Sequence, residues 1–394
     1  MDSIIWKKLA NKACDDGRVI LLSAKMSNFV SEKDMNKPVR LFSRLLAAIL
    51  VGVCMCLSAP RTSAFSLALD SVAEWGKFPR FCVNVYRWGD RFFNTYDSAY
   101  VKGPGTKFNV KFKFDSWFDN YNFRFTNDDV RMTMISDPNT TAGVWLTYLA
   151  VSAGYDINVS KIFGGAQTSR RRWNFRLNCA LLTAELYWIT NDVDTRIVSM
   201  GSGSSIRHPN YRFSGLDTKI FGLDTYYYFN NKRYSRAAAF NYSKLQQRSQ
   251  GSWFLGFSYW VQDYTFDFGQ LPEDMRSQLP ESWAANDYNY YLRNNNYALC
   301  GGYGYNWGLN KHWTQGISES PLLGIKHGRE NKGPAKVSLS LYNRAQASAI
   351  WNNRRWFAGI ILSAENGLFY NKEHTLISGV FTAEASVGFR FNIW

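Results

Sequence analysis

Hydrophobic and polar residues alternate along most of the chain from about residue 107 onward. Residues 107–114, Lys-Phe-Asn-Val-Lys-Phe-Lys-Phe, place phenylalanine and valine at one parity and lysine and asparagine at the other. Residues 378–394 repeat the pattern, with Phe389 at the apolar parity and Arg390 at the polar one. Successive side chains of a β-strand point to opposite faces, so this period of two predicts strands, each with one apolar and one polar face.

Twelve such segments can be counted, and several have the roughly 9–11 residues that cross a bilayer at a tilt. Long antiparallel strands of this kind are typical of an outer-membrane barrel, in which closure removes the sheet edges. We therefore expect an all-β fold, a single closed antiparallel transmembrane β-barrel of about 12 strands, within a range of about 10–14. The segments are 107–115, 119–134, 143–158, 172–190, 215–229, 234–244, 252–267, 295–308, 313–326, 336–351, 354–366 and 378–394.

Loop lengths predict the orientation of the barrel, because such barrels have short periplasmic turns and longer outer loops. Toward the C-terminus the predicted connections alternate in this way. Earlier the alternation fails, since 191–214 is long and 230–233 is short, so either segment 172–190 is misread or the rule is relaxed there. The connections predicted to be periplasmic are 245–251, 309–312 and 352–353, and those predicted to face outward are 268–294, 327–335 and 367–377.

Residues 37–64 have the layout of a secretory signal. Three basic residues precede an apolar run over 45–57, and small residues follow. This predicts export with cleavage after Ala64, or alternatively after Ala59; a short buried helix is the other interpretation. Met35 begins a more ordinary signal than Met1 does, so the natural start could be either. The expected regions are an upstream extension and signal peptide over 1–64, a periplasmic segment over 65–106 and the outer-membrane barrel over 107–394.

Composition excludes two classes of protein. Aromatic residues make up 17% of the 394 residues, and a chain so rich in them can bury enough apolar surface to avoid disorder. A helical membrane protein is excluded because no apolar run approaches ~20 residues. Aromatic residues, among them Trp145, Trp313 and Trp356, cluster near the predicted strand ends, as in the girdles at a membrane interface; the alternative is the core of a soluble sandwich.

Charged residues at the polar parity are expected to face the lumen, because a charge on the lipid side is costly. There they could line a water-filled pore or pair into a salt-bridged plug, and the excess of cations predicts a weak anion preference if a pore is open. The net charge of +15 does not indicate nucleic acid, since a secreted barrel does not meet it and no binding motif is present. The predicted lumen-facing charges are Lys111, Lys113, Arg124, Lys219, Arg344, Glu384 and Arg390.

The run Arg170, Arg171 and Arg172 is the sharpest basic feature of the chain. It is a candidate for contact with anionic groups, such as lipopolysaccharide phosphates or an acidic solute. The competing interpretation is a solvated strand edge or a snorkelling belt at the membrane interface.

Residues that could carry covalent chemistry are few. The four histidines fall in or beside predicted loops, without metal-ligand spacing to another histidine, cysteine or carboxylate. Ser205 or Ser214 near His208, or Ser318 or Ser320 near His312, could pair in a lipid-cleaving barrel, but no G-x-S-x-G motif is present. We expect no catalytic residues, no metal site and no cofactor, with a lipid hydrolase or acyltransferase as the alternative. The histidines are His208, His312, His327 and His374.

Three stretches, 92–111, 174–185 and 226–252, resemble a family of Gram-negative anaerobes known as domain of unknown function 4421. The resemblance runs from about residue 90 to the C-terminus and implies an outer-membrane barrel. The family carries no established activity, so the resemblance implies no catalytic residues. The chain also ends on an aromatic-rich strand, 388–394, similar to the tag that barrel-assembly machinery recognises, although Trp394 is one step out of phase with the apolar face.

These features predict an outer-membrane barrel that a signal peptide carries across the inner membrane. Its expected role is a passive channel or structural envelope component with a mixed, mainly basic lumen. The expected partners are outer-membrane lipid and the barrel-assembly machinery, bound through the C-terminal strand. The alternatives are an outer-membrane lipid-modifying enzyme and an adhesion or assembly-partner barrel that uses the 268–294 loop. The solute, the oligomeric state and whether the lumen is open do not follow from the sequence.

Overall fold

The described part of the chain lies within one compact unit, Ala68–Trp394, and is almost entirely antiparallel β-structure. Within it, no helix has both the length and the apolar character to cross a membrane. The predicted signal peptide over 1–64 lies outside the described residues. The computed structural model describes residues 80, 84, 92–125, 130–148, 151–160, 169–202, 207, 209–279, 284, 287–330, 336–353, 355–370 and 374–392.

The elements with described bounds are long strands joined by mostly short connections, together with two short α-helices and one 3₁₀ turn. The strands are β1 (Val101–Lys102), β2 (Phe108–Phe125), β3 (Val130–Ser136), β4 (Asn139–Tyr148), β5 (Val151–Asn158), β6 (Ser169–Asn178), β7 (Leu182–Ser202), β8 (Tyr211–Tyr228), β9 (Leu245–Gln246), β10 (Gln250–Asp267), β11 (Asn289–Gly308), β12 (Trp313–Glu330), β13 (Lys336–Asn352), β14 (Trp356–Tyr370) and β15 (His374–Phe391). The others are α1 (Arg236–Phe240), α2 (Glu273–Arg276) and the 3₁₀ turn η1 (Phe268–Gln270).

The large sheet closes on itself, because β15 pairs with β2 from Phe391 opposite Phe108 to His374 opposite Phe125. We call the end that holds Phe108 and Phe391 the proximal rim and the opposite end the distal rim. Strands β3 and β4 both pair with β2 and follow each other along it, so together they fill one place in the wall. The protein is a closed antiparallel barrel of twelve strands, as predicted.

The barrel wall is wider near the proximal rim than near the distal rim. In the proximal half, β5 and β6 are inserted between β4 and β7. In the distal half, β3 pairs directly with β7, with a register shift between Thr133 and Met134. Twelve strands therefore become ten, and because barrel diameter grows with strand number, the lumen narrows toward the distal rim.

The two faces of the wall have reversed polarity compared with a soluble protein. On β2, Phe112 on the outer face is 52% exposed, whereas Lys111 on the inner face is 4% exposed. The same alternation runs along β10, β11 and β12. Because side chains alternate across a strand, the apolar parity identified in the sequence is the outside of the barrel and the polar parity is the lumen.

Several predicted strand boundaries are wrong. Segments 143–158 and 172–190 each contain two strands, because alternating polarity does not reveal a connection of two or three residues. The predicted loop 191–214 is mostly strand, since β7 runs to Ser202 and β8 begins at Tyr211. The predicted strand 234–244 contains α1, whose run of three alanines favours a helix. Two outer connections predicted to be long are short, because β12 and β14 extend further than their apolar pattern.

Candidate functional site

The connection between β8 and β10 turns back into the barrel and obstructs the lumen near the proximal rim; we call residues 229–249 the proximal plug. The side chains of Ala237, Ala238 and Ala239 in α1 are almost fully buried. Arg236 donates hydrogen bonds to Ser318 Oγ (3.3 Å) and to Gln346 Oε1, both on the inner face of the wall. The small alanine side chains allow the helix to approach the wall closely.

Wall side chains hold the backbone of the proximal plug by hydrogen bonds. Asn306 Nδ2 donates to the carbonyl of Ser235 over 2.8 Å, and Asn352 Nδ2 donates to that of Lys244 over 3.2 Å. Arg390, only 1% exposed, donates to the carbonyl of Tyr242 and to Asn352 Oδ1, the latter over 2.7 Å. These bonds satisfy backbone carbonyls that would otherwise be buried without a partner.

Residues 92–102, which precede the barrel wall, are hydrogen-bonded to the plug. We call them the N-terminal strap. It belongs to the predicted periplasmic segment 65–106. Its strand β1 pairs with β9 of the plug, and Asp97 N donates to the carbonyl of Lys232 over 2.8 Å. The Tyr96 hydroxyl lies 3.4 Å from Ser235 Oγ, and burial raises the pKa of Tyr96. Strap and plug therefore form one packed layer.

Apolar side chains close the distal half of the lumen; we call this cluster the distal core. Phe123 of β2 meets Phe266 of β10 edge to face, with ring centroids 5.6 Å apart. Residues 268–279, which follow β10, turn inward and add Phe268 and Met275. The loop invoked for an adhesion module therefore contributes part of its length to the interior. The other members are Tyr121, Val130, Met132, Met134, Ile197, Met200, Phe213, Leu216, Leu271, Leu279, Tyr290, Leu292, Phe369 and Leu376.

Charged side chains occupy the lumen between the plug and the distal core; we call this region the central chamber. Lys113 Nζ lies 2.5 Å from Asp115 and 3.1 Å from Asp156, and Lys111 Nζ lies 3.2 Å from Glu384. Ion pairs this buried stabilise only where each charge keeps close partners. The members are Lys111, Lys113, Asp115, Asp156, Arg172, Arg176, Glu185, Asp224, Arg344, Glu365 and Glu384.

Two arginine clusters complete the chamber. On β6 and β7, Glu185 accepts a hydrogen bond from Arg176 Nε over 2.9 Å and lies 3.7 Å from Arg172. From β13, Arg344 reaches Asp224 on β8 at 3.3 Å and Glu365 on β14 at 3.2 Å. The chamber so defined has five cationic and six anionic side chains, to which the plug adds Arg236. Its charge is close to balanced, whereas the sequence predicted a mainly basic lumen.

Five of the seven predicted lumen charges face the interior: Lys111, Lys113, Arg344, Glu384 and Arg390. The other two, Arg124 and Lys219, lie on the outer face instead. Both belong to the distal half, where the outer face carries charged as well as apolar side chains. There Lys219 lies 3.8 Å from Asp217, and Arg293 lies 3.4 Å from Asp263. We call the apolar middle and proximal part of the outer face the apolar belt. The premise that charges must point inward does not hold beyond this belt.

Arg171 and Arg172 of the arginine run lie on opposite faces of the wall. Arg172 points into the chamber, where its Nε donates to Asn174 Oδ1 over 3.1 Å. Arg171 lies on the outer face and is exposed, and the side chain of Arg170 is outside the described residues. The sequence did not predict the chamber carboxylates Asp156, Glu185, Asp224 and Glu365. Continuing the polar parity along β2 would have found Asp115, but not Asp156 and Glu185, which follow a turn that the predicted segments merged.

The outer face carries an aromatic belt at the proximal rim. Trp253, Trp307, Trp313 and Trp356 are exposed at the proximal ends of β10 to β14, and Trp356 packs on Phe389 at 4.9 Å. Trp145 does not belong to this belt. It is buried in the chamber, where Lys111 Nζ lies 4.9 Å and the Arg176 guanidinium 5.3 Å from its ring.

The described histidines and serines do not assemble a catalytic pair. Ser318 is buried on the inner face of β12, whereas His312 lies in the turn before that strand, with Nδ1 3.2 Å from the carbonyl of Asn352. His327 is exposed, and His208 and the side chain of His374 lie outside the described residues. No group of three or more potential metal ligands occurs in the described ranges.

A family model, Domain of unknown function (DUF4421), matches residues 95–391. No curated protein matches the sequence. Similar solved structures include the outer membrane protease OmpT from Escherichia coli, with 7% identity, a TM-score of 0.35, and coverage of 72% of this chain and 97% of that one. The translocator domain of the autotransporter NalP from Neisseria meningitidis has 8% identity, a TM-score of 0.30, and 83% and 99% coverage. The P. putida toluene transporter TodX has 7% identity, a TM-score of 0.26, and 73% and 91% coverage.

Proposed function

The chain belongs to the family Domain of unknown function (DUF4421), and from its closed barrel we propose that it is an outer-membrane protein with a lumen held shut. Its role in the envelope is then structural, rather than that of a standing pore. The observation that carries this proposal is the double obstruction of the lumen. The proximal plug obstructs one end of it, and the distal core obstructs the other.

Insertion into a membrane is supported by the outer face of the wall. Leu255, Leu299, Leu323 and Leu339 all project outward from consecutive strands, β10 to β13, with half or more of their surface exposed. A soluble protein rarely exposes so continuous an apolar band, and in hydrocarbon only a closed barrel leaves no unpaired sheet edge. The aromatic belt at the proximal rim is typical of side chains that lie at the depth of the lipid headgroups.

The orientation follows from the export signal predicted over 1–64. An exported chain meets the outer membrane from the periplasm, so the strap and the proximal rim face that compartment. The distal half, with charged outer-face pairs such as Asp263 and Arg293, then rises above the hydrocarbon. Long strands of 18 residues, such as β10 and β15, are longer than the ~9–11 residues that a membrane requires.

A gated channel is the second candidate. The observation that favours it is the polar anchoring of the proximal plug through Asn306, Asn352 and Arg390. Water can replace hydrogen bonds at a net cost of only about 0.5–1.5 kcal/mol for a neutral pair. The apolar cluster of the plug, around Tyr242 and Phe357, is smaller than the distal core. The plug could therefore leave the lumen without unfolding the wall at a lower cost than the distal core.

Planar-bilayer conductance of the purified, refolded barrel tests these alternatives. We expect the unmodified protein to show no steady current. A variant with residues 232–247 replaced by a short Gly-Ser linker distinguishes the two candidates. If it also remains silent, the closed structural barrel is supported; if it conducts, the plug is a gate. A steady ohmic current through the unmodified protein would overturn both. Heat-modifiable gel migration of each sample serves as the control for folding.

A further inference from the structure

The proximal plug and the N-terminal strap carry a strong surplus of positive charge. The two segments contain six basic residues and one acidic residue, Asp97. Arg236 uses its charge inside the lumen, where it donates to Ser318 and Gln346, and Lys244 is partly buried. The other four basic residues are exposed, and we call the surface that they form the basic face: Lys102, Lys232, Arg233 and Arg248.

Two arginines of the basic face meet at one tyrosine ring. The guanidinium carbon of Arg233 lies 5.0 Å from the centroid of the Tyr100 ring, and that of Arg248 lies 5.7 Å from it. Both distances are within the ~6 Å over which an aromatic ring attracts a cation. We call these two residues the arginine pair. Because both guanidinium groups are held at one ring, neighbouring acidic side chains of a single segment can reach both.

A buried amide fixes the backbone of the arginine pair. Gln246 is 1% exposed, and its Nε2 donates to the carbonyl of Arg233 over 2.7 Å and to that of Arg248 over 2.9 Å. The carbonyl of Tyr100 lies 3.3 Å from the same nitrogen and accepts from Gln247 N over 2.7 Å. The pair and its ring are thus positioned before any partner arrives, and such preorganisation lowers the cost of binding.

The charges of the basic face are mostly not neutralised by carboxylates. Asp97 lies 3.8 Å from Arg233, whose side chain is still 55% exposed. Arg248, Lys102 and Lys232 have no ion-pair partner among the residues that the structure describes. The two lysines lie beside the pair in the chain, one next to Arg233 and one on β1. Their donors and those of the pair therefore remain available to an anion.

We propose that the basic face binds an acidic polypeptide segment, whose carboxylates contact Arg233 and Arg248. Guanidinium groups match carboxylates in planar, two-bond contacts, and the lysines extend the positive surface along a segment with several acidic residues. Lipid headgroups fit this position less well, because the arginine pair belongs to the plug, inside the ring of wall strands. Lys311 and Arg355, which precede β12 and β14 beside the aromatic belt, are placed to contact headgroups instead.

This inference goes beyond the proposed function, which concerns the closure of the lumen. The orientation proposed above makes the partner a periplasmic one, whereas binding itself requires only the folded plug and strap. A barrel that conducts can still bind the segment, and a silent barrel can fail to bind it, so the two proposals fail separately. A bound partner would contact the plug, which is the element that obstructs the proximal end of the lumen.

Fluorescence anisotropy of a labelled decaglutamate peptide, titrated with the refolded full-length barrel in non-ionic detergent, provides the test. Decaglutamine is the uncharged control, and short-chain phosphatidylglycerol is the competing lipid probe. We expect decaglutamate to bind about 10-fold or more tighter than decaglutamine, with an affinity that falls as salt is added. The proposal is overturned if decaglutamate does not bind, or if the lipid displaces it at an equal concentration of negative charge.

Variants assign the binding to the arginine pair. R233Q and R248Q are each expected to weaken decaglutamate binding about 3-fold, and the double variant about 10-fold, because exposed ion pairs are individually weak. The matched control is the double variant R171Q/R293Q, which removes the same charge from the outer face of the wall and should leave the affinity unchanged. An equal loss of affinity in the two double variants would overturn the proposal.

Folding of each variant is checked in two ways. Heat-modifiable migration reports on the barrel, and amide hydrogen exchange at 245–247 reports on the pairing of strap and plug. If R233Q/R248Q loosens that pairing, R233K/R248K replaces it, since lysine keeps the charge but lacks the planar fork of arginine. We expect R233K/R248K to bind decaglutamate about 3-fold more weakly than the unmodified protein does, and unchanged affinity would also overturn the proposal.

Discussion

The two obstructions of the lumen close it by different physics. The distal core is built from ring and aliphatic contacts, such as Phe123 with Phe266 and Phe213 with Phe268. The proximal plug is a loop held by side-chain donors, such as Asn306 and Arg390, and by a smaller apolar cluster in which Tyr242 stacks on Phe357. Apolar packing gains free energy in proportion to buried area, whereas hydrogen bonds exchange with water for a small net change. The distal core should therefore stabilise the wall, and the plug should be the part that can move.

The largest expected effect comes from emptying the distal core. Phe266→Ala removes a buried ring that packs on Phe123, Phe268 and Tyr290, and such truncations cost about 3–5 kcal/mol. We expect the urea midpoint of the refolded protein to fall accordingly. The matched control is Phe257→Ala on the same strand, where the ring faces outward and is exposed. An equal loss in both variants in detergent would show that the distal cluster is not a core.

The second-largest effect should be a loss of stability of the plug rather than of the wall. Arg390→Met keeps the length of the side chain but removes its donors to Tyr242, Asn352 and Asn353. A hydrogen bond from a charged group contributes about 1.5–3 kcal/mol, and water replaces the lost donors wherever the plug moves away from the wall. We expect limited proteolysis from the proximal side to cut within 229–249 while the barrel keeps its heat-modifiable migration.

A control variant and an opposing outcome make this prediction specific. Arg171→Met removes an arginine from the outer face and should leave the cleavage pattern unchanged. If Arg390→Met unfolds the barrel before the plug becomes cleavable, the plug is part of the wall's stability, and the contrast between the two obstructions does not hold.

The sequence predicted the strands of the wall better than it predicted what occupies the lumen, for a physical reason. Parity is local, so the alternation around Lys111 and Lys113 was enough to assign inner and outer faces and to predict a closed twelve-stranded barrel. The contents of the lumen depend on non-local contacts. Nothing near Arg344 in the sequence indicates Asp224, which lies 120 residues away. Likewise, Ala237 to Ala239 lie in a segment that was predicted to be a strand, because its position inside the barrel follows from closure of the whole sheet.

Strand ends set a second limit. The merged segment 172–190 hid the turn at 179–181, which has only three residues, so the parity of Arg176 could not be carried across to Glu185. The predicted inward orientation of Arg124 and Lys219 rested on the premise that every strand residue lies in lipid. Because the strands continue beyond the apolar belt, that premise applies only to their middle and proximal parts.

The third-largest effect concerns the N-terminal strap. It tests whether the strap stabilises the plug alone or the wall as well. A refolded chain that begins at residue 103 lacks β1 and its pairing with β9, together with the bond from Asp97 N to Lys232. Because water replaces these backbone bonds, we expect a loss of only about 1–2 kcal/mol in local plug stability. Amide hydrogen exchange at 245–247 should become faster, and exchange in β10 to β12 should not change. Faster exchange throughout the barrel would mean that the strap supports the wall as well.

The smallest effect should come from an ion pair outside the lumen. Lys219 lies 3.8 Å from Asp217 on the outer face, and its side chain is 62% exposed, whereas Lys111 is buried against Glu384 at 3.2 Å. Exposed pairs contribute about 0–1 kcal/mol, while removing one partner of a buried pair leaves an uncompensated charge and costs about 3–5 kcal/mol. Lys219→Gln should therefore leave the urea midpoint within error of the unmodified protein, and Lys111→Gln should lower it clearly. Equal midpoints for the two variants would mean that the chamber solvates Glu384 as well as bulk water does. The central chamber would then be an open, water-filled space rather than a set of paired charges between two obstructions.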